Sequence, residues 1–523
     1  MKRGNRKEFG IIFSLSFAIV FGVLCGMGTI NCGYHLVDDH EFLEYTYMFK
    51  FHNASPWGLI RDWVGFDIGR GRFRPLYYTI RIMLTYLLGT DLLRWSILRG
   101  IVVATSIILL YYCGKMICGS CISSFSFALV SLMGFQSAVW WKLGPQEDFA
   151  TLLFALGFLL QLLWLKSMKT GYAVSSVIVY SAMACYKESY ILLLPFAAAY
   201  VIYDVYKDCS SIYDMRIQKQ MMKGYRLYTW SIIGVFCVLI ALLLHYTGWT
   251  SVTHPDIGIA DKFKLYRDVF VKEFTTDLRW YRWTGLLLIA VLLTYWNQVR
   301  KLWKEIILIV IFILPQFMVY ADAGLIERYI LPASIGFGMF FLVFIPNSKI
   351  LGGKRRIFYA AVIISLLLLN GRSMLVEADY FRYRGNSVET LLNEADRLMT
   401  SDNIKLVSCF SPNEESNMTI KAWLLLHGKD QVYYYHEETG KIDKEFQYDT
   451  YPEYTGANSD EVSIDDMDLI VMYNTDDRHY NHEPTINRNG FNGIKCGTLT
   501  MYVRDGAGIP MPDINVKPSR YYR

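Results

Sequence analysis

The feature that most limits how this 523-residue chain can fold is a succession of apolar runs, each near the length that crosses a bilayer. About 20 mostly apolar residues span a hydrocarbon core as a helix. Eleven candidate runs can be read, at roughly 9–30, 95–114, 121–139, 149–165, 171–186, 189–204, 227–247, 281–298, 305–321, 328–346 and 357–373. The chain is 53% hydrophobic and 19% charged, whereas soluble domains carry about 25% charge. This composition excludes disorder and points to an α-helical multi-span integral membrane protein. The first run follows MKRGNRKE like a signal-peptide n-region, but its apolar stretch is too long and lacks a clear cleavage site, so a retained anchor is expected.

A further apolar stretch, 75–90, opens at Pro75 and carries Arg81 at its centre, which predicts a helix lying in or partly entering the interface. Charge distribution decides whether it counts as a span, because a twelfth crossing would reverse every later loop. With eleven spans and the N-terminus inside, the inner segments and their junction residues hold 19 Lys and Arg against 5 acids. The outer segments to residue 373 hold 18 basic and 17 acidic residues, and the tail from 374 holds 15 and 25. The charges therefore predict a cytoplasmic N-terminus and an extracytoplasmic tail, and the expected location is a bacterial cytoplasmic membrane. The overall charge of +5 and the lack of a basic run give no sign of a nucleic-acid partner.

Three segments are expected outside: 31–94, 248–280 and the tail. The division is then a transmembrane domain, 1–373, and a C-terminal extracytoplasmic α/β domain, 374–523. In the tail, 387–400 and SNMTIKAWLLLHG have helical spacing, while KLVSCF, QVYYYH, MDLIVMY and GTLTMYVR read as strands. Residues 507–523, with three prolines, read as a loose end. Cys118 and Cys121 form a lone CxxC without a second pair or nearby histidine, which suits a helix junction better than zinc. Cys409 and Cys496 share the tail and could pair outside the cell.

Ionisable residues at span ends on one face are functional candidates because charge near a bilayer is costly. Five clusters fall on the outer face under this topology. VDDHEFLEY (37–45) places Asp38, Asp39, Glu41 and Glu44 directly after the first span, where a carboxylate can serve as a general base, bind a divalent cation or cap a solvated helix. GRFRPLYY (71–78) sets Arg72 and Arg74 before a proline-opened aromatic helix, suited to a phosphate or to lipid headgroups. Glu147 and Asp148 follow Gly-Pro, either as a second acid site or as an N-terminal helix cap. Lys187 and Glu188 lie between two spans with almost no loop, able to pair together or to meet a phosphate diester. Glu327 and Arg328 follow Asp322 at another outer junction. Trp57, Trp63 and Trp140 are either a sugar platform or belt residues. No cofactor is required by these residues.

Taken together, the clusters describe a polar outer cavity suited to a lipid-linked phosphate. In this arrangement the chain resembles the GT-C glycosyltransferases, which take sugars from polyprenyl-phosphate carriers. It is most similar to the branch of protein O-mannosyltransferases and lipid A aminoarabinose transferases. The resemblance rests on Asp38-Asp39 after the first span, Arg74-Pro75-Leu76-Tyr77-Tyr78 opening a juxtamembrane helix, and Glu147-Asp148 after the third span. It covers about residues 9–200, with later spans similar only in layout. His40 after the acid pair, Gln146 before the second acids and the unfamiliar tail depart from that pattern.

The resemblance implies an inverting transfer of sugar from a polyprenyl-phosphate donor to a hydroxyl on a glycan, lipid or protein. It implies Asp38 as base with Asp39 beside it, Arg74 on the carrier phosphate with Lys187 assisting, and Arg328 as a weaker transfer. The alternatives are a polysaccharide polymerase or ligase using lipid-linked sugars, and a lipid-sugar flippase. The first usually keeps its basic residues in late outer loops, and the second needs charge deep within spans.

Overall fold

A computed structural model describes residues 3–69, 71–208, 215–247, 264, 267, 296, 300–320, 327–347, 353–401, 403–410, 414–437, 440–444, 462–474 and 484–521. The expected span at 281–298, nearly all of the loop at 248–280, and Asp322 lie outside them. The membrane portion is built from α1 (Arg3–Met27), α5 (Leu92–Cys118), α6 (Cys121–Leu132), α7 (Ala138–Trp141), α8 (Glu147–Ser167), α9 (Thr170–Tyr186), α10 (Leu194–Asp208), α11 (Met215–Thr247), α12 (Trp303–Tyr320), α13 (Glu327–Asn347) and the first half of α14 (Gly353–Leu398). Six described helices are long and apolar enough to cross a membrane, and the segment of α6 and α7 adds a seventh if it is one span bent by 67°. Large apolar side chains such as Ile11, Leu227, Trp230, Leu314 and Leu368 remain exposed along these helices, as a lipid-facing surface requires.

Between α1 and α5 the chain forms three short helices, α2 (His40–Phe51), α3 (Pro56–Gly69) and α4 (Pro75–Leu88). Proline at the first position of α4 suits a helix start, since its missing N–H would have no partner there. At 14 residues, α4 rises about 21 Å, too short to span. Its Arg81 is buried in protein.

The expected domain boundary at 373/374 falls within α14, which continues as one helix into the C-terminal domain. That domain holds α15 (Glu414–Leu426) and a six-stranded sheet of β1 (Leu406–Cys409), β2 (Val432–His436), β3 (Lys441–Asp443), β4 (Leu469–Tyr473), β5 (Phe491–Cys496) and β6 (Leu499–Arg504), in the order β3-β2-β1-β4-β6-β5. The central strands β1, β2 and β4 run parallel. β1 and β4 are buried throughout, as strands covered on both faces are. β3 and β5, absent from the sequence reading, are edge strands whose polar residues and Gly493 break the alternation that marks a strand.

Two tail expectations change. Residues 519–521 are not a loose end: Ser519 Oγ and the Arg520 and Tyr521 N–H groups donate to Asp379 of α14, at 2.5–3.1 Å. Cys409 and Cys496 are both free and buried, and they belong to different apolar clusters. The CxxC residues sit where α5 ends and α6 begins.

Helix α2 and the loop before it also meet the C-terminal domain, at α15 and α14. A Cβ on Gly33 would lie 2.4 Å from the Gly385 carbonyl oxygen of α14, so the loop after α1 passes against that helix only because position 33 has no side chain.

Candidate active site

The site is built on the turn that joins α1 to α2. Leu36 and Asp38 adopt left-handed backbone angles, with φ of 58° and 54°, which non-glycine residues hold only where surrounding contacts enforce it. Asp39 supplies part of that force. Its fully buried carboxylate accepts from the N–H groups of His35, Leu36 and Val37, the latter two at 3.1 Å, and from the Thr419 hydroxyl of α15 at 3.1 Å. Burial raises the Asp39 carboxyl above its ordinary value, against the pull of the His35 N–H. Asp39 therefore organises the turn, and its acceptor capacity is already engaged.

Asp38 is differently placed. Its Oδ2 accepts from Arg328 Nη1 at 2.8 Å, and both side chains keep some exposure, 14% and 20%. Burial works against the Asp38 charge, but Arg328, His40, Lys187 and Arg81 outweigh it and hold the carboxyl down at about 2. The residue is an ionised carboxylate held at the end of a guanidinium. Gly144, in the segment before α8, permits the conformation: a Cβ there would sit 1.8 Å from the Val37 carbonyl oxygen and 2.7 Å from Asp38 Cβ.

The remaining expected residues form a ladder of ion pairs beside this turn. Lys187 Nζ lies 2.9 Å from Glu147 Oε1. Arg99 Nη2 lies 3.5 Å from Asp148 Oδ2 and donates to the Leu143 carbonyl at 2.6 Å. Arg81 donates to Glu41 at 3.0 Å and to the Asp38 carbonyl oxygen at 2.7 Å, while Tyr77 donates to the same Glu41 carboxylate. Lys187 and Glu147 are thus paired with each other, and Glu147 and Asp148 open α8, where the helix dipole favours carboxylates.

The two arginines before Pro75 part company. Arg74 is buried, donating to Asp67 at 2.6 and 3.1 Å, to Gln146 Oε1 at 3.0 Å and to Tyr78 at 3.0 Å. Arg72 is the more open of the pair, its side chain 38% exposed and hydrogen-bonded to Glu188 at 3.2 and 3.3 Å. Of the tryptophans, Trp57 is exposed while Trp63 and Trp140 are buried, and Trp140 donates to the Leu132 carbonyl.

Three participants had no signal in sequence. Asp67 lies in the last turn of α3 and is identified only by its contact with Arg74. Arg99 stands inside an apolar run. Glu415, from α15 of the C-terminal domain, accepts a hydrogen bond from the Asp38 N–H at 3.2 Å across 377 residues of chain. Burial raises the Glu415 carboxyl above its ordinary value, and the neighbouring Asp38 charge adds to the rise.

Chemically, this arrangement offers an ionised carboxylate beside paired cations at the ends of the helices. Among the described residues, no group of three or more His, Cys, Asp or Glu side chains is placed to hold a metal ion.

No protein-family model matches the chain, and no curated protein matches it. Among solved structures, the chain is similar to the crystal structure of ArnT from Cupriavidus metallidurans bound to undecaprenyl phosphate, with a TM-score of 0.46 and 10% identity over 98% of this chain and 100% of that one.

Proposed function

We propose that the chain is an inverting glycosyltransferase of the GT-C type, moving a sugar from a polyprenyl-phosphate carrier to a hydroxyl acceptor at the outer face of the membrane. The observation that carries this reading is the Asp38–Arg328 contact, 2.8 Å long, set on a constrained turn directly after the first span.

In this reaction the acceptor oxygen attacks the anomeric carbon, the bond from that carbon to the phosphate oxygen breaks, and its electron pair leaves on the phosphate. Asp38 takes the acceptor proton. A sugar carbon with oxocarbenium character acidifies the attacking hydroxyl late, so an ionised and well-aimed carboxylate serves even though its basicity is low. The leaving phosphate needs a cation rather than an acid. Arg72 is the more exposed of the two site arginines before Pro75, which favours it for direct contact, with Arg74 tying α3, α4 and Gln146 together beside it. Glu188 must then yield part of its hold on Arg72 when the donor enters.

Mass spectrometry of glycolipids and surface glycans from cells with and without the protein tests the reading. A sugar modification lost with the protein, accompanied by accumulation of a polyprenyl-phosphate sugar, supports it. Identical glycan and carrier profiles contradict it.

A further inference from the structure

We infer that Glu415 of the C-terminal domain is a positioning residue of the transfer site: it holds Asp38 in its working conformation and shares with it the charge of Arg328. The inference rests on the glycosyl-transfer reading above and extends it, because it makes the C-terminal domain part of the reaction centre.

The geometry comes from one face of α15. Glu415 accepts the Asp38 N–H at 3.2 Å, Ser416 Oγ donates to the Leu36 carbonyl at 3.3 Å, and Thr419 Oγ1 donates to Asp39 Oδ1 at 3.1 Å. At 3.6 residues per turn Thr419 falls in angle between Glu415 and Ser416, so the three occupy an arc of about 100° of the helix. Each grips one residue of the turn 36–39, and two of those residues hold left-handed backbone angles. α15 therefore adds to the bonds within the turn a second set of contacts that hold its shape.

Charge adds a second effect. Arg328 and His40 of α2 both act on the charges of Glu415 and Asp38, and Glu41 and Glu44 act in turn on His40. Lys187 and Arg81 face Asp38 as well. Two carboxylates against one guanidinium cannot ionise equally well, and here Asp38 is held low while Glu415 is pushed up. Charged Glu415 repels the charge on Asp38 and so makes Asp38 a better proton acceptor. When Glu415 takes up a proton that repulsion ends, and Asp38 weakens as a base. Glu415 itself makes and breaks no bond to the sugar; the acceptor proton goes to Asp38.

Glu415→Gln separates the two effects, because the amide oxygen still accepts the Asp38 N–H while the charge is gone. With polyprenyl-phosphate mannose and polyprenyl-phosphate aminoarabinose as donor probes, the wild-type rate should fall as pH drops through the titration of Glu415, above the ordinary carboxylate range. The Gln variant should show a kcat lowered roughly three- to ten-fold, with that acid limb absent. Glu415→Asp should retain the limb. A Gln variant with wild-type kcat and an unchanged pH profile overturns the inference.

Infrared titration of the carboxyl band provides a readout independent of turnover. Because Asp39 also titrates above the ordinary range, the readout is the difference between the two proteins: Glu415→Gln should lose one high-titrating carboxyl relative to the wild type, and a carboxyl titration identical in both overturns the inference. Asp38→Asn on the same donors keeps the two readings distinct. Transfer at full rate by Asp38→Asn overturns the glycosyl-transfer mechanism, whereas loss of transfer there with an unaltered Glu415→Gln profile overturns only the role of Glu415.

Discussion

Arg328 Nη1 lies 2.8 Å from Asp38 Oδ2, joining the start of a late helix to the turn after the first span across 290 residues of sequence. The contact explains how a carboxylate with so little exposure stays ionised. A charge-assisted hydrogen bond of this kind is worth about 2 kcal/mol in holding the carboxylate in place. Arg328→Ala should let the Asp38 carboxyl rise toward its ordinary value but free its side chain, so kcat should fall through lost aim of the carboxylate despite its greater basicity, and Arg328→Lys should recover part of both changes. Steady-state kinetics on both variants checks this.

Arg72 and Arg74 should behave differently although they stand two residues apart. Arg72→Ala removes a partly exposed pair with Glu188, worth at most about 1 kcal/mol in stability. Its effect should be a rise in donor KM, with the melting temperature little changed. Arg74→Ala leaves Asp67 buried and unpaired, at a cost of about 3–5 kcal/mol. It should lower the melting temperature by several degrees, and adding Asp67→Asn should restore part of it. Thermal melts and donor titrations on the same preparations distinguish the two.

Gly144→Ala tests the packing beneath the turn. The added methyl would meet the Val37 carbonyl and Asp38 Cβ, so the turn must shift. A displacement near 1 Å at a reacting group costs on the order of 10²-fold in rate. The variant should keep its helical content by circular dichroism and lose activity by about that factor.

Much of this architecture was legible because bilayer crossing imposes a length and a composition that survive without any partner. Every expected span other than 281–298 falls on a described helix or bent helical segment. The buried central strands were equally readable as short apolar runs. Pairing was not. That Arg74 answers Asp67 rather than solvent, that Arg81 within an apolar helix meets Glu41, and that Glu415 reaches Asp38 are all consequences of tertiary packing. Local periodicity does not encode which distant charge will stand opposite. The division of labour between Asp38 and Asp39 had the same origin: adjacent and chemically identical, they differ because one accepts its own backbone and the other faces Arg328.

The central claim is that Asp38 receives the acceptor proton during sugar transfer from a polyprenyl phosphate. Its most direct measurement is the single-turnover rate of purified Asp38→Asn on a polyprenyl-phosphate sugar, with donor binding measured in parallel. The account predicts a loss of transfer of at least about 10²-fold, with donor affinity retained and the melting temperature close to that of the wild type. Transfer by Asp38→Asn at the wild-type rate would contradict it.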